Sequence, residues 1–348
     1  MSVGAGSSVA IPVERWEPPL PRARGPLTES LFAVLAGSRG DLPEPVVATQ
    51  DPLTDDDLHL ALYACYELHY RGFAGVDGRW EWDPSLLAFR GRLEAAFEAG
   101  LRSRFEGPCG ADPSETTTAL SRIAAQPGPP LSRYLRDAAS RAEWCDYVVH
   151  RSVYQLKEAD PHAWAVPRLE GRAKAALIEV LFDEYGCGRP DRIHAALYRT
   201  SMVALGLDGR YGAYLDRVPG VTLAPVNLMS LFALHRRLRG ALVGHLAIAE
   251  VTSAVANKRL ADGLRRLGYG SEATHFFDEH VIADSIHDMI SLHDMAGGLA
   301  ADEPHLVDDI HFGATAWTGI DAVSGEFLLA CWRDQKPSLL LREGPGPA

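Results

Sequence analysis

The sequence predicts an all-α protein, on three observations. Apolar residues recur at three- and four-residue spacing through most of the chain. Helix-start signals punctuate that pattern. No segment shows the apolar–polar alternation of a half-buried strand. In chain order the spacing predicts helices over 26–36, 54–70, 84–105, 114–125, 131–157, 168–185, 191–204, 224–254, 257–267, 272–297 and 323–334. Thr54 stands before an acidic first turn, Pro167 before Arg168, and Pro190 with Asp191 before the next helix. Hydroxyl side chains satisfy first-turn N–H groups, and proline's fixed φ suits a first helical position. Residues 1–25 read as a flexible Pro/Gly-rich leader and 26–130 as an N-terminal helical accessory region. The main bundle is expected over 131–335, after the PGPP of 127–130, with a flexible tail over 336–348.

The totals exclude several classes. The 348 residues are 47% apolar and 23% charged, as in globular rather than disordered chains. A net charge of −12 argues against nucleic acid or an anionic membrane as the main partner. No stretch reads as a membrane span and no signal-peptide core opens the chain, so a cytoplasmic protein is expected. Cysteines 65, 109, 145, 187 and 331 show no CxxC spacing, which disfavours a disulfide frame or zinc ribbon.

Chemistry concentrates in EHVIADSIHDM, where His280, Asp284 and His287 stand at i, i+4 and i+7 inside an apolar run. On a helix these share a face, so two imidazoles and a carboxylate point into one volume. A lone buried histidine is usually structural, but three ligand-type residues on one face rarely come from packing. Imidazole with carboxylate suits iron, manganese or zinc. Further ligands must come from other helices. Glu184 extends the stripe Leu169, Ala173, Ala176, Leu177, Val180 and Leu181; His194 follows the turn GCGRPDRIH; Glu250 continues Leu242, Val243 and Leu246. A buried carboxylate is costly unless paired or metal-bound. Three histidines and three carboxylates suit two iron or manganese ions better than one zinc. His245 reads as a core histidine or the partner of a neighbouring helix. Arg239, too far along the helix to pair with Glu250, is the candidate for holding a substrate carboxylate through its planar fork. An ordinary interhelical salt bridge is the alternative.

With these residues the chain resembles the haem-oxygenase-like di-metal oxidases and oxygenases, known as iron-containing redox enzymes. Their late H-x3-D-x2-H is matched by His280, Asp284 and His287, and DEYGCGRPDRIH supplies Glu184 and His194. Glu250 matches a mid-chain glutamate. The resemblance spans about 150–297 and leaves the N-terminal part unexplained. It implies a haem-oxygenase-like helical bundle and a metal set of Glu184, His194, Glu250, His280, Asp284 and His287. It also implies two Fe(II) ions, with Mn an alternative, and O2 as co-substrate. Asp191 is a candidate extra ligand, and Glu158 in KEADPHAW an outer one.

The function expected first is N-oxygenation of an amine or guanidine in a small amino-acid-like substrate, in specialised (natural-product) metabolism. Oxidative C–C cleavage or desaturation of an amino or fatty acid is the second. A non-catalytic metal-binding helical protein is the third, and retention of all six ligand types weighs against it. An external electron donor and a homodimer are compatible with the resemblance. Glu272 and His275 form an isolated ExxH, which reads as a helix start rather than half of a ferritin-like site.

Overall fold

The computed structural model of the chain describes residues 16–37, 42–107 and 109–340, and for 284–286 the helical backbone alone. The N-terminal part contains α1 (Pro26–Leu35), α2 (Asp56–Glu67), α3 (Pro84–Phe105) and α4 (Thr116–Ala124). There follow α5 (Leu131–Asp137), α6 (Arg141–Gln155), the single turn α7 (Asp160–Ala163), α8 (Gly171–Glu184) and α9 (His194–Ala204). The C-terminal part is α10 (Gly220–Leu234), α11 (Arg239–Arg266), α12 (Ser271–Met289), α13 (Gly297–Asp302) and α14 (Val307–Arg333). No strand occurs among the described residues. The all-α expectation holds.

Boundaries depart from the sequence reading where local chemistry overrides apolar spacing. The helix expected over 131–157 breaks at Ala138–Ser140, because Ser140 and Glu143 form a capping box that starts α6. The helix expected over 224–254 stops at His235, and a new one, α11, runs without interruption to Arg266. Residues 272–297 hold α12 followed by a π-helical turn, Ile290–Ala296. The last helix begins sixteen residues earlier than the spacing suggested, at Val307. Residues 16–25, expected in a flexible leader, are held: Trp16 Nε1 donates to the Tyr211 carbonyl at 2.9 Å, and Arg24 to that of Leu215 at 2.9 Å. At the other end Leu339 is buried and the Leu340 amide donates to the Arg217 carbonyl at 2.8 Å.

α11 is the central column, packed along α12 on one side and α14 on the other. The second contact is backbone to backbone: a Cβ on Gly244 would overlap the Ile310 carbonyl, and one on Gly313 that of Ala241. Only glycine permits this approach. Arg236–Arg266 is long and apolar enough to cross a membrane, yet 61% of its most apolar window is buried inside the protein. Its hydrophobicity is that of a core helix.

The core has two apolar clusters. One joins the N-terminal helices to α8, α10 and the first turns of α11, from Leu31, Leu62 and Phe97 to Leu177, Phe232 and Ile248. The other joins α6, α9, α12 and the later turns of α11 through Trp144, Tyr198, Leu260, Phe276 and Phe277. On α11 the first cluster ends at Ile248 and the second begins at Leu260. Glu250 stands in the gap. Glu250 is one of the candidate ligands.

Buried histidines make this fold acid-sensitive. Burial lowers His59 from 6.5 to about 4 and His150 from 6.5 to about 3. Asn227 Nδ2 donates to His59 Nδ1 at 3.1 Å, which fixes a neutral ring. The unfolded chain therefore binds more protons than the folded one below pH 6.5, and stability falls as pH falls. His287, raised to about 9, is protonated in the folded state throughout and already half protonated when unfolded at pH 6.5, so it offsets only roughly 0.4 kcal/mol of that slope. Urea unfolding of the metal-free protein should lose about 3 kcal/mol between pH 6.5 and 5 from the His59 and His150 pair. A flat profile over that window would contradict their neutral burial.

Candidate metal centre

The turn between α8 and α9 builds the first half of the site. Gly186, Cys187 and Gly188 all take positive φ, at 68°, 53° and 78°. A Cβ on Gly186 would lie 2.6 Å from the backbone of Arg192 and Ile193. The chain can therefore fold back on itself here only through glycine. That reversal places His194, the first residue of α9, opposite Glu184, the last of α8, with Nδ1 and Oε2 2.9 Å apart.

α12 brings His280 to the same point. Its Nδ1–H donates to the Phe276 carbonyl at 2.8 Å, so Nε2 is turned inward as an acceptor, 3.5 Å from Glu158 Oε2. The His280 and His194 rings stand 4.3 Å apart. Glu158, Glu184, His194 and His280 each present one ligand atom, and these four atoms all lie within 4.8 Å of one another. Two turns along α12, His287 is buried between Glu250, 3.3 Å from Nδ1, and Asp183, 2.9 Å from Nε2.

Electrostatics mark the cluster as a cation site. Burial would raise the Glu184 carboxyl, but His194, His280 and His287 hold it down to about 2. Glu250 moves upward, mainly by burial, because Glu184 is near and His287 offsets only part of the cost. His287 is pushed up to about 9 against burial, by Glu250 and Asp183. Glu184 Oε2, His194 Nδ1, Glu250 Oε2 and His287 Nδ1 are buried without a well-aligned hydrogen bond. Buried imidazole and carboxylate atoms that face each other at these distances without a well-aligned hydrogen bond are what a coordinating ion would satisfy. The donor set fits iron: imidazole and carboxylate, without thiolate.

Not every residue expected from sequence comes to this point. Glu184, His194, Glu250, His280 and His287 do. The side chain of Asp284 lies outside the described residues. Asp191 is 72% exposed and pairs with Arg189 at 3.3 Å, so the structure does not bring it to the centre. Arg239 is paired with Glu303 at the start of α11, about 16 Å along the helix from Glu250. The substrate role expected of it is corrected to the salt bridge that was the alternative. His245 is buried, stacked on His162 with ring centroids 5.2 Å apart.

Two residues of the candidate centre are under-read in the sequence. Glu158, carried only as an outer candidate, sits in the innermost cluster. It follows the end of α6 at Gln155, in a turn where helical periodicity gives no face. The Gln155 amide, oriented by its hydrogen bonds, donates to both Glu158 oxygens at 2.7 and 3.1 Å. Asp183 was missed. Its adjacency to Glu184 in DEYG was the available signal, but neighbours on a helix point to different faces.

A buried histidine–carboxylate cluster between the helices of an all-α bundle has the ligand chemistry of a metal-binding protein. A family model described as "Iron-containing redox enzyme" matches residues 145–321, just over half of the chain. The chain belongs to the iron-containing redox enzyme family, and the resemblance read from its motifs is confirmed. It is 30% identical over 133 residues to a nitrosourea synthase of Streptomyces achromogenes subsp. streptozoticus. That match covers 38% of this chain and 28% of the relative, so the chain aligns with well under half of that protein's length. A domain of unknown function with a heme oxygenase-like fold from Shewanella denitrificans OS217 is similar at 15% identity and a TM-score of 0.49. That similarity covers 64% of this chain and 93% of the other.

Proposed function

We propose that the chain is an O2-dependent non-haem di-iron oxygenase that oxygenates nitrogen, an amine or guanidine of a small amino-acid-like substrate. The observation that carries this is the convergence of Glu158, Glu184, His194 and His280 within 4.8 Å, with His287 and Glu250 adjoining, in a family described by its iron. These residues, with Asp284 by its motif, would hold two Fe(II) ions. Bound iron supplies the electrons that reduce O2 and the oxidising power delivered to substrate.

The chain's own residues supply geometry. Phe276 fixes the His280 tautomer through its carbonyl, Asp183 does so for His287, and Gln155 orients Glu158. Aromatic rings line the cavity beside the centre: Trp317 packs edge-on against His245 with centroids 4.4 Å apart, and Tyr198 against Phe276 at 4.8 Å. Nitrogen as the atom oxidised is supported by the partial match to a nitrosourea synthase, because an N-nitroso group requires an N–O bond. C–C cleavage or desaturation of a fatty acid receives less support, since Arg151 and Asp321 line the cavity beside the centre.

The test is incubation of Fe(II)-loaded protein with 18O2 and amino acids bearing side-chain amines or guanidines. Incorporation of label into substrate nitrogen, read by mass spectrometry, is expected. Iron binding with no substrate-dependent O2 consumption would overturn the oxygenase and favour a metal-binding protein.

A further inference from the structure

Two cavities meet beside the metal centre. The inner one, of about 150 Å³, is walled at its far end by Glu158, Glu184, Glu250 and His280. The outer one, of about 510 Å³, runs under the 126–135 segment and along α14. Arg151, Tyr154, Trp317 and Asp321 line both, so they form the neck.

The charge in this space is unevenly placed. Among the described residues lining the two cavities, Arg151 is the one arginine or lysine, and Asp321 the one carboxylate away from the metal cluster. They pair, Nη1 to Oδ1, at 3.0 Å, and the guanidinium carbon stands 5.0 Å from the centre of the Tyr154 ring. Arg151 Nε is buried and has no hydrogen-bond partner. Asp321 therefore engages only part of a planar fork built for two-point recognition. A single cation beside an apolar wall, with one edge unsatisfied and an acid next to it, has the polarity of a zwitterion's complement.

We infer that Arg151 and Asp321 are the head-group site for a free α-amino acid, the guanidinium taking the α-carboxylate and Asp321 the α-ammonium. The inference rests on the oxygenase proposed above and names its substrate class. Arg151 stands near the end of α6 and Glu158 in the turn that follows it, and both line the inner cavity, one at the neck and the other among the metal-facing residues. An amino acid anchored at the neck extends its side chain into the inner cavity, which the metal cluster also lines, so lysine and arginine, with nitrogen at the end of the side chain, are the probes. A fatty acid carries no ammonium to engage Asp321.

Calorimetric titration of the metal-free protein with L-lysine and L-arginine, and with their decarboxylated counterparts cadaverine and agmatine, tests this. The amino acids should bind the wild type at least about tenfold more tightly than the amines, the effect of one charge-assisted pair. Arg151→Gln should erase that preference, and Arg151→Lys, which keeps the charge but loses the fork, should retain part of it. Asp321→Asn should weaken the amino acids and leave N-acetylated forms at wild-type affinity. Failure of both amino acids to bind the wild type, or an Arg151→Gln protein that still prefers them, overturns the head-group site. Thermal melting excludes misfolding of each variant. Fe(II) binding is measured separately, so loss of iron with amino-acid selectivity intact would fault the di-iron proposal and not this one.

Discussion

Replacing His280 by alanine is expected to abolish tight iron binding while leaving the helical bundle folded. His280 Nε2 is one of four ligand atoms within 4.8 Å, and alanine leaves three donors facing an open corner. Even a residue that only orients a ligand is worth roughly 10–100-fold in metal affinity, so loss of a ligand should cost more. Glu158→Ala should match it, because the Glu158 oxygen converges with the other three. Asp191→Ala is the contrast: its carboxylate is exposed and paired with Arg189, and iron content should be unchanged. Metal analysis after Fe(II) loading and gel filtration measures all three. Equal iron in the His280→Ala and wild-type proteins would show that the cluster is a structural polar contact.

The second large effect is expected at the N-terminal side of the centre. Lys157, the residue before Glu158, is buried and paired at 3.0 Å with the fully buried Glu67 of α2. Tyr211 also donates to Glu67 at 2.6 Å, and the ammonium lies over the Tyr63 and Tyr70 rings at 4.4 and 4.5 Å. Glu67→Ala strands a buried cation and should destabilise the fold by about 3–5 kcal/mol. The pair Glu67→Leu with Lys157→Met, which removes both charges, should recover most of that loss. Denaturant unfolding separates the cases. If the single and double variants are equally unstable, packing rather than the ion pair carries the site. Because Lys157 adjoins Glu158, the single variant should also weaken iron binding. On this account the N-terminal helices help set the position of a metal ligand.

What the sequence made legible follows from periodicity. His280 and His287 declared themselves because i, i+4 and i+7 on an apolar helix is a pattern in one dimension. Glu184, His194 and Glu250 were found as polar residues ending or continuing apolar stripes. Glu158 was under-weighted because it sits in a turn, where sequence spacing carries no face. Arg239 was over-weighted for the complementary reason: an arginine on the right helix reads alike whether its fork is free or held, and only the approach of Glu303 from the α13–α14 corner decides. Arg151 was not singled out, because its role depends on Asp321, 170 residues away on α14. The helix breaks at Ser140 and His235 are hidden because three- and four-residue apolar spacing continues across them, as through Leu231, Leu234, Leu238 and Leu242, although the capping box at Ser140 was visible in principle.

The central claim is that these buried histidines and carboxylates hold iron, two ions to the chain. Anaerobic titration of the metal-free protein with Fe(II), followed by Mössbauer spectroscopy of the 57Fe-loaded sample, tests it most directly. The account predicts saturation at two irons per chain and high-spin ferrous signals that change together on exposure to O2. Saturation at one iron, or iron that does not respond to O2, would contradict it.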